Sequence, residues 1–178
     1  PDGTARMFSL VMDAKSLITE PAYPATLTAR GWREIRGLAW SGRGRITSVE
    51  VTTDGGRTWT PARLDEPVLP KCHTRFLLPW QWTGGEALLM SRATDETGYV
   101  QPTTAELKAV RGPNTQYHFN NIIGWQVATD GRVRLTGFDF ARPGTDHSRT
   151  YAQEIVDDLE PKYMAPEIHG EPAAATPA

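Results

Sequence analysis

The sequence predicts an all-β fold, an antiparallel β-sandwich, on two observations. Up to about residue 135, apolar residues recur with period 2, the spacing of a strand with one buried and one wet face. These runs are short and are broken by turns rich in glycine and proline, which is the punctuation of a sandwich rather than of a parallel α/β sheet.

Gly37-Leu-Ala-Trp40 reads as a short strand ending in the turn Ser41-Gly-Arg-Gly44. Ile46 to Thr53 alternates, with Val49 and Val51 on one face and Ser48, Glu50 and Thr52 on the other. Asp54-Gly-Gly56 then supplies the positive φ angles of a tight hairpin, and the partner strand runs through Thr58, Trp59 and Thr60. The stretch from Thr52 to Trp59 resembles the Asp-box hairpin of sialidase propellers, in which Asp and Thr side chains bond the turn and the Trp packs beneath it. A propeller repeats that motif; it occurs once here, so it reads as a hairpin lock.

Arg75 to Trp82 is the strongest strand. Phe76, Leu78, Trp80 and Trp82 share one face, and Arg75, Leu77, Pro79 and Gln81 share the other. Pro79 has no N–H, which places the strand at an edge or at a bulge. Gly84-Gly85 turns the chain into a strand over Ala87–Ala93. Ile122–Val127 and Gly131–Leu135 close the sheets, with Asp130-Gly131 as their turn. Residues 1–145 thus form the sandwich. Beyond them lies an acidic extension, 146–178, expected to be partly disordered. In it Tyr151, Ile155 and Leu159 recur every four residues, the spacing of one short amphipathic helix over 148–160, which Pro161 ends.

The chain has 178 residues, enough for one domain with a sizeable core. Its 39% hydrophobic and 22% charged residues are those of a soluble globular protein. No apolar run approaches the roughly 20 residues of a membrane helix. Up to Thr145 there are 17 Lys+Arg against 14 Asp+Glu, and from Asp146 onward 2 against 7. A mildly basic body with an acidic tail is too weak a positive field for nucleic acid. The opening Pro1-Asp-Gly3 is turn-like and shows no leader, as expected of a segment that begins inside a longer polypeptide.

Few residues carry chemistry by themselves. One cysteine, Cys72, excludes an internal disulfide, and no CxxCH for covalent haem is present. Cys72 reads as a small, partly buried packing residue. His73, His118, His147 and His169 lack metal-ligand spacing. Ser41-Gly-Arg-Gly-Arg45 reads as a turn with solvated arginines, because no helix follows to complete a phosphate cradle. No nucleophile is paired with a base, so no complete active site is visible.

Several separated segments, in a fixed order, carry a resemblance. They are Gly37-Leu-Ala-Trp-Ser-Gly-Arg-Gly-Arg-Ile46, Val49-Glu-Val-Thr-Thr-Asp-Gly-Gly-Arg-Thr-Trp59, Ser91-Arg-Ala-Thr-Asp-Glu-Thr-Gly-Tyr-Val-Gln-Pro102 and Tyr117-His-Phe-Asn-Asn-Ile-Ile-Gly-Trp125. Together they resemble the C-terminal domain of the sulfite-oxidase family of molybdenum enzymes, over roughly residues 10–135. That domain is immunoglobulin-like in fold and often forms the dimer contact. Ala14-Lys-Ser-Leu-Ile-Thr19 and Tyr117-His-Phe-Asn120 look most like the sulfane dehydrogenase branch of the family, which serves bacterial thiosulfate oxidation.

The resemblance implies a parent enzyme in the periplasm that carries molybdenum-molybdopterin and is a homodimer or heterotetramer. It implies a c-type cytochrome subunit as electron acceptor and, as substrate, a sulfane on a cysteine of a sulfur-carrier protein. A sulfite dehydrogenase and a non-catalytic assembly module are the alternatives. The family's molybdenum-ligating cysteine lies in the preceding domain. Cys72, in Lys71-Cys-His-Thr-Arg75, does not match its motif, so this segment is expected to bind no cofactor and to be inactive alone.

The resemblance also implies site residues. In sulfite oxidases an arginine of this domain, some seven residues before a tryptophan, reaches the substrate anion. Counting back from Trp125 gives His118, with Tyr117 and Arg111 close enough in sequence to share the pocket. A switchable imidazole suits a sulfane that is larger and less anionic than sulfite. Trp80, Trp82, Tyr151, Ile155 and Leu159 are the expected interface residues.

Overall fold

The computed structural model describes residues 10–112 and 118–136. Their elements run in the order β1 (Lys15–Glu20), β2 (Gly31–Trp40), β3 (Ile46–Thr52), β4 (Thr60–Pro61), β5 (Arg63–Leu64), β6 (Thr74–Trp82), β7 (Ala87–Asp95), α1 (Thr104–Arg111), β8 (Gly124–Val127) and β9 (Val133–Thr136). One sheet has the order β1-β2-β6-β5 and the other β4-β3-β7-β8-β9. Every pairing between these strands is antiparallel. The fold is therefore the expected all-β, immunoglobulin-like sandwich.

The core forms where the alternating faces meet. Ile18 of β1, Ile35 and Ala39 of β2 and Phe76 and Trp82 of β6 come from the first sheet. Val49 and Val51 of β3, Leu89 and Ala93 of β7, Val127 and Val133 come from the second. Each such large side chain adds roughly 1.5–3 kcal/mol by leaving water. A second seam is polar. Gln101, 2% exposed, accepts hydrogen bonds at Oε1 from the N–H and Oγ of Ser16 on β1 and from the N–H of Ala93 on β7. Its Nε2 donates to the carbonyls of Ser16 and Asn121. With its proton on Gln101, Ser16 Oγ accepts from the Ser91 hydroxyl at 2.9 Å, so this one cluster ties the two sheets together.

Several expectations need correction. β2 begins at Gly31, six residues before the expected start, and pairs with β6 in unbroken register from Gly31↔Trp82 to Ala39↔Thr74. Glu34 and Arg36 lie on the exposed face, but Arg33 falls in phase with Ile35 and Ala39 on the inner face and masks the alternation. Pro79 sits in that regular register without a bulge, and β5 pairs only with Phe76 and Leu77. The proline thus lies on a stretch of β6 whose outer side is open, the edge position that a residue lacking an N–H tolerates. The hairpin partner strand starts at Thr60 rather than Thr58.

Helix α1 was not expected from periodicity. Its start is nonetheless written in the sequence as a capping box: the Glu106 N–H donates to Thr103 Oγ1 and the Thr103 N–H donates to Glu106 Oε2. Cys72 is exposed rather than partly buried. Trp82, placed at an interface by the sequence reading, is 5% exposed within the core and donates its indole N–H to the Gly85 carbonyl. Trp80 is half-buried against the same core. The face they share is the one the second sheet covers, while Trp32, on the outer face of β2, is 69% exposed.

The Asp54 hairpin is locked as its motif predicts. Asp54 Oδ1 accepts from Thr52 Oγ1 and from the N–H groups of Arg57 and Thr58, and Oδ2 accepts from Thr58 Oγ1. The bonds from Thr58, with that from Thr52, hold the Asp54 carboxyl well below the usual carboxylate range. Burial works against ionisation of Asp95, but hydrogen bonds from Thr97, Ser41 and Tyr99 outweigh it and lower that carboxyl as well. A carboxyl depressed in the folded state adds stability above its unfolded pKa, about 4, and loses it as pH falls through the folded value. The urea midpoint is therefore expected to fall between pH 6 and pH 3, and to fall less in an Asp95→Asn variant. Equal midpoints at the two pH values in the wild type would contradict this assignment.

Candidate functional site

The residues just before and at the start of β1 meet the segment that precedes β8. Asp13 is 7% exposed, and a carboxylate so placed needs partners. Its Oδ1 accepts from Arg43 Nε at 2.7 Å and its Oδ2 from Arg111 Nη2 at 2.5 Å. Arg43 comes from the turn between β2 and β3, and Arg111 is the last residue of α1. The hydrogen bond to Asp13 and that carboxylate's charge raise the Arg43 guanidinium above its ordinary value. Arg43 also lies over the Tyr99 ring, 6.0 Å from its centroid. The arginines of the Ser41–Arg45 turn are thus paired rather than merely solvated, since Arg45 meets Glu96.

Three consecutive residues are laced to this strand start. The His118 carbonyl accepts from Arg111 Nη1 at 2.9 Å. The Phe119 carbonyl accepts from Lys15 Nζ at 2.8 Å. Asn120 Nδ2 donates to the Ala14 carbonyl at 3.0 Å and to the Tyr99 hydroxyl at 3.1 Å. His118 has φ 48°, the left-handed conformation rare for a side chain of its size, so these bonds hold a turn that a histidine does not favour alone.

A cleft of about 130 Å³ opens here, lined by Met12, Asp13, Lys15, Trp40, His118, Phe119 and Asn120. Burial lowers the Lys15 ammonium from its ordinary value. Arg43 and Arg111 both bind the Asp13 carboxylate, and Lys15 stands nearby on the Phe119 carbonyl.

Of the site residues expected from sequence, His118 lines the cleft and Arg111 lies behind it. The Arg111 guanidinium is engaged by Asp13 and the His118 carbonyl. Tyr117, Tyr151, Ile155 and Leu159, and the boundary between the sandwich and the acidic extension, lie outside the described residues. Asp13, Lys15, Arg43 and Asn120 were missed. A charged residue just before or at the start of a strand, as at Asp13 and Lys15, is a signal only once its partners are known.

Comparison with known proteins gives the class. The family profile of the Mo-co oxidoreductase dimerisation domain matches residues 6–125. The chain belongs to that domain family, the dimerisation domain of the sulfite oxidase family. Members of the family are molybdopterin oxidoreductases.

Among solved structures, the sulfane dehydrogenase SoxCD of Paracoccus pantotrophus is similar at 53% identity and a TM-score of 0.72, over 76% of this chain and 35% of that one. Gallus gallus sulfite oxidase is 33% identical over 115 residues, which is 60% of this chain and 25% of that protein. Solanum lycopersicum nitrate reductase [NADH] is 37% identical over 108 residues, 51% of this chain and 12% of that protein. The chain therefore spans a quarter or less of these curated relatives.

The described residues do not fit a molybdenum site. The single cysteine, Cys72, is exposed in the turn before β6 and does not line the cleft, so no thiolate of this chain reaches it.

Proposed function

We propose that this chain is the C-terminal, dimer-forming part of a molybdenum sulfane dehydrogenase and that its His118 cleft faces the substrate. In this reading the enzyme works in the periplasm of a thiosulfate-oxidising bacterium. It oxidises a sulfane carried on a cysteine of a carrier protein and passes the electrons to a c-type cytochrome. Molybdenum-molybdopterin, bound by the rest of the enzyme, supplies the redox chemistry.

The observation that carries the reading is the 53% identity to the SoxCD chain over 76% of this one, well above the 33% to sulfite oxidase. The cleft agrees with it. Sulfite is a compact anion that suits a permanent guanidinium presented to it. Here the nearby guanidiniums of Arg43 and Arg111 are bound to Asp13, and the cleft is lined by the His118 imidazole beside Lys15 and Asn120. A persulfide on a carrier cysteine has no oxygens to match and carries its charge on sulfur, for which the Lys15 ammonium lining the cleft supplies a general attraction.

In the full-length enzyme, His118→Ala is expected to lower kcat/KM for the sulfane-loaded carrier by about 10- to 100-fold, the effect of one charge-assisted hydrogen bond. Molybdenum content and oligomeric state stay normal. Unchanged kinetics in a fully loaded variant would return His118 to a structural role. A wild-type enzyme that turns over sulfite but not the carrier would favour a sulfite dehydrogenase.

A further inference from the structure

We infer that Arg111 and Asp13 are positioning residues for His118: Asp13 fixes the Arg111 guanidinium, and Arg111 holds the His118 backbone in its left-handed turn. This rests on the reading that His118 meets the substrate. It departs from the sequence expectation in which Arg111 itself contacts the substrate.

The geometry carries the inference. Arg111 uses Nη2 for Asp13 and Nη1 for the His118 carbonyl, at 2.5 and 2.9 Å. Two bonds from one planar fork fix the guanidinium's orientation, which a single ammonium cannot do. Asp13 is in turn clamped from its other oxygen by Arg43. Arg111 ends a helix whose start is fixed by a complete capping box, so its backbone is anchored as well. Turning Arg111 toward a ligand would strand the buried Asp13 with one partner and release the His118 carbonyl. The guanidinium is therefore set behind the histidine. The bonds from Lys15 to Phe119 and from Asn120 to Ala14 hold the next two residues, and the bond from Arg111 is the one of the three that reaches residue 118.

The test is a double-mutant cycle in the full-length enzyme, with Arg111→Gln, His118→Ala and both together, read as kcat/KM for the sulfane-loaded carrier. Arg111→Gln alone is expected to lower it about tenfold, the low end for a charge-assisted bond. If Arg111 acts through His118, the double variant is no worse than His118→Ala. Arg111→Lys recovers only part of the loss, because it keeps the charge but not the fork. Molybdenum content and melting temperature identify any variant that fails to fold. In that case Arg111→Lys, which retains the charge opposite Asp13, takes its place in the cycle.

Losses that multiply would show Arg111 acting on the substrate independently and overturn the inference, as would an Arg111→Gln enzyme with wild-type kinetics. Both leave the role of His118 intact. A silent His118→Ala overturns that role and, with it, the relay.

Discussion

Replacing Gln101 by leucine is expected to lower the melting temperature by about 10–20 °C, which corresponds to roughly 3–5 kcal/mol in a domain of this size. Leucine approximates the volume of glutamine, so the change creates little cavity. What it removes is five hydrogen bonds made by one buried amide. The N–H groups of Ser16 and Ala93 face that amide from the open side of β1 and from the part of β7 that β8 does not reach. Without Gln101 both donors are buried and unmatched, and each such group costs about 1–3 kcal/mol. Differential scanning calorimetry of the full-length protein gives the answer. A shift of only a degree or two would mean that water or a rearranged Asn121 replaces the amide.

Gly37→Ala is expected to cost about 2–4 kcal/mol, at or above the usual range for overpacking a core. The φ of Gly37 is not the issue; space is. Gly37 lies opposite Phe76 in the β2–β6 register, and an added Cβ would overlap both the Phe76 ring at Cζ and the Leu17 carbonyl oxygen. The ring can move only by leaving the core, and the carbonyl belongs to the β1–β2 ladder. Shortening the ring with Phe76→Leu relieves one of the two overlaps. In the double variant the loss should then be smaller than the two single losses added together. Urea denaturation provides all three midpoints. A Gly37→Ala protein as stable as the wild type would show that the two sheets are packed more loosely than described.

The sequence made the strands legible where one face is apolar and the other plainly wet. β3 and the Asp54 hairpin follow from Val49, Val51 and the two glycines, and β6 from its four apolar residues at period 2. It was silent where a side chain's destination depends on the second sheet: the apolar face of β6 has to be shared between that sheet and any partner, and the structure sends Trp82 into the core and leaves Trp80 half-buried. Helix α1 escaped a reading by periodicity because eight residues with one buried leucine leave too short a stripe, although Thr103 and Glu106 marked its start. At the candidate site, counting back from Trp125 pointed to His118, which lines the cleft. Nothing local identified Asp13, because a buried aspartate is recognisable only by the arginines that neutralise it. Those arginines are 30 and 98 residues away.

The same separations bear on the order in which the molecule assembles. The bonds from Asp13 to Arg111, Lys15 to Phe119 and Ala14 to Asn120 join residues 98 to 106 positions apart. Bringing such distant residues together costs chain entropy before any bond rewards it, so contacts of this span form late and slow the folding of β-rich chains. During synthesis at about 5–20 residues per second, Asp13 precedes Asn120 by several seconds. Until Arg111 follows, Arg43 is the one of its two partners already made. The cleft is thus among the last parts of the sandwich to be completed, and a nascent chain stopped before Phe119 has both sheets begun but no site.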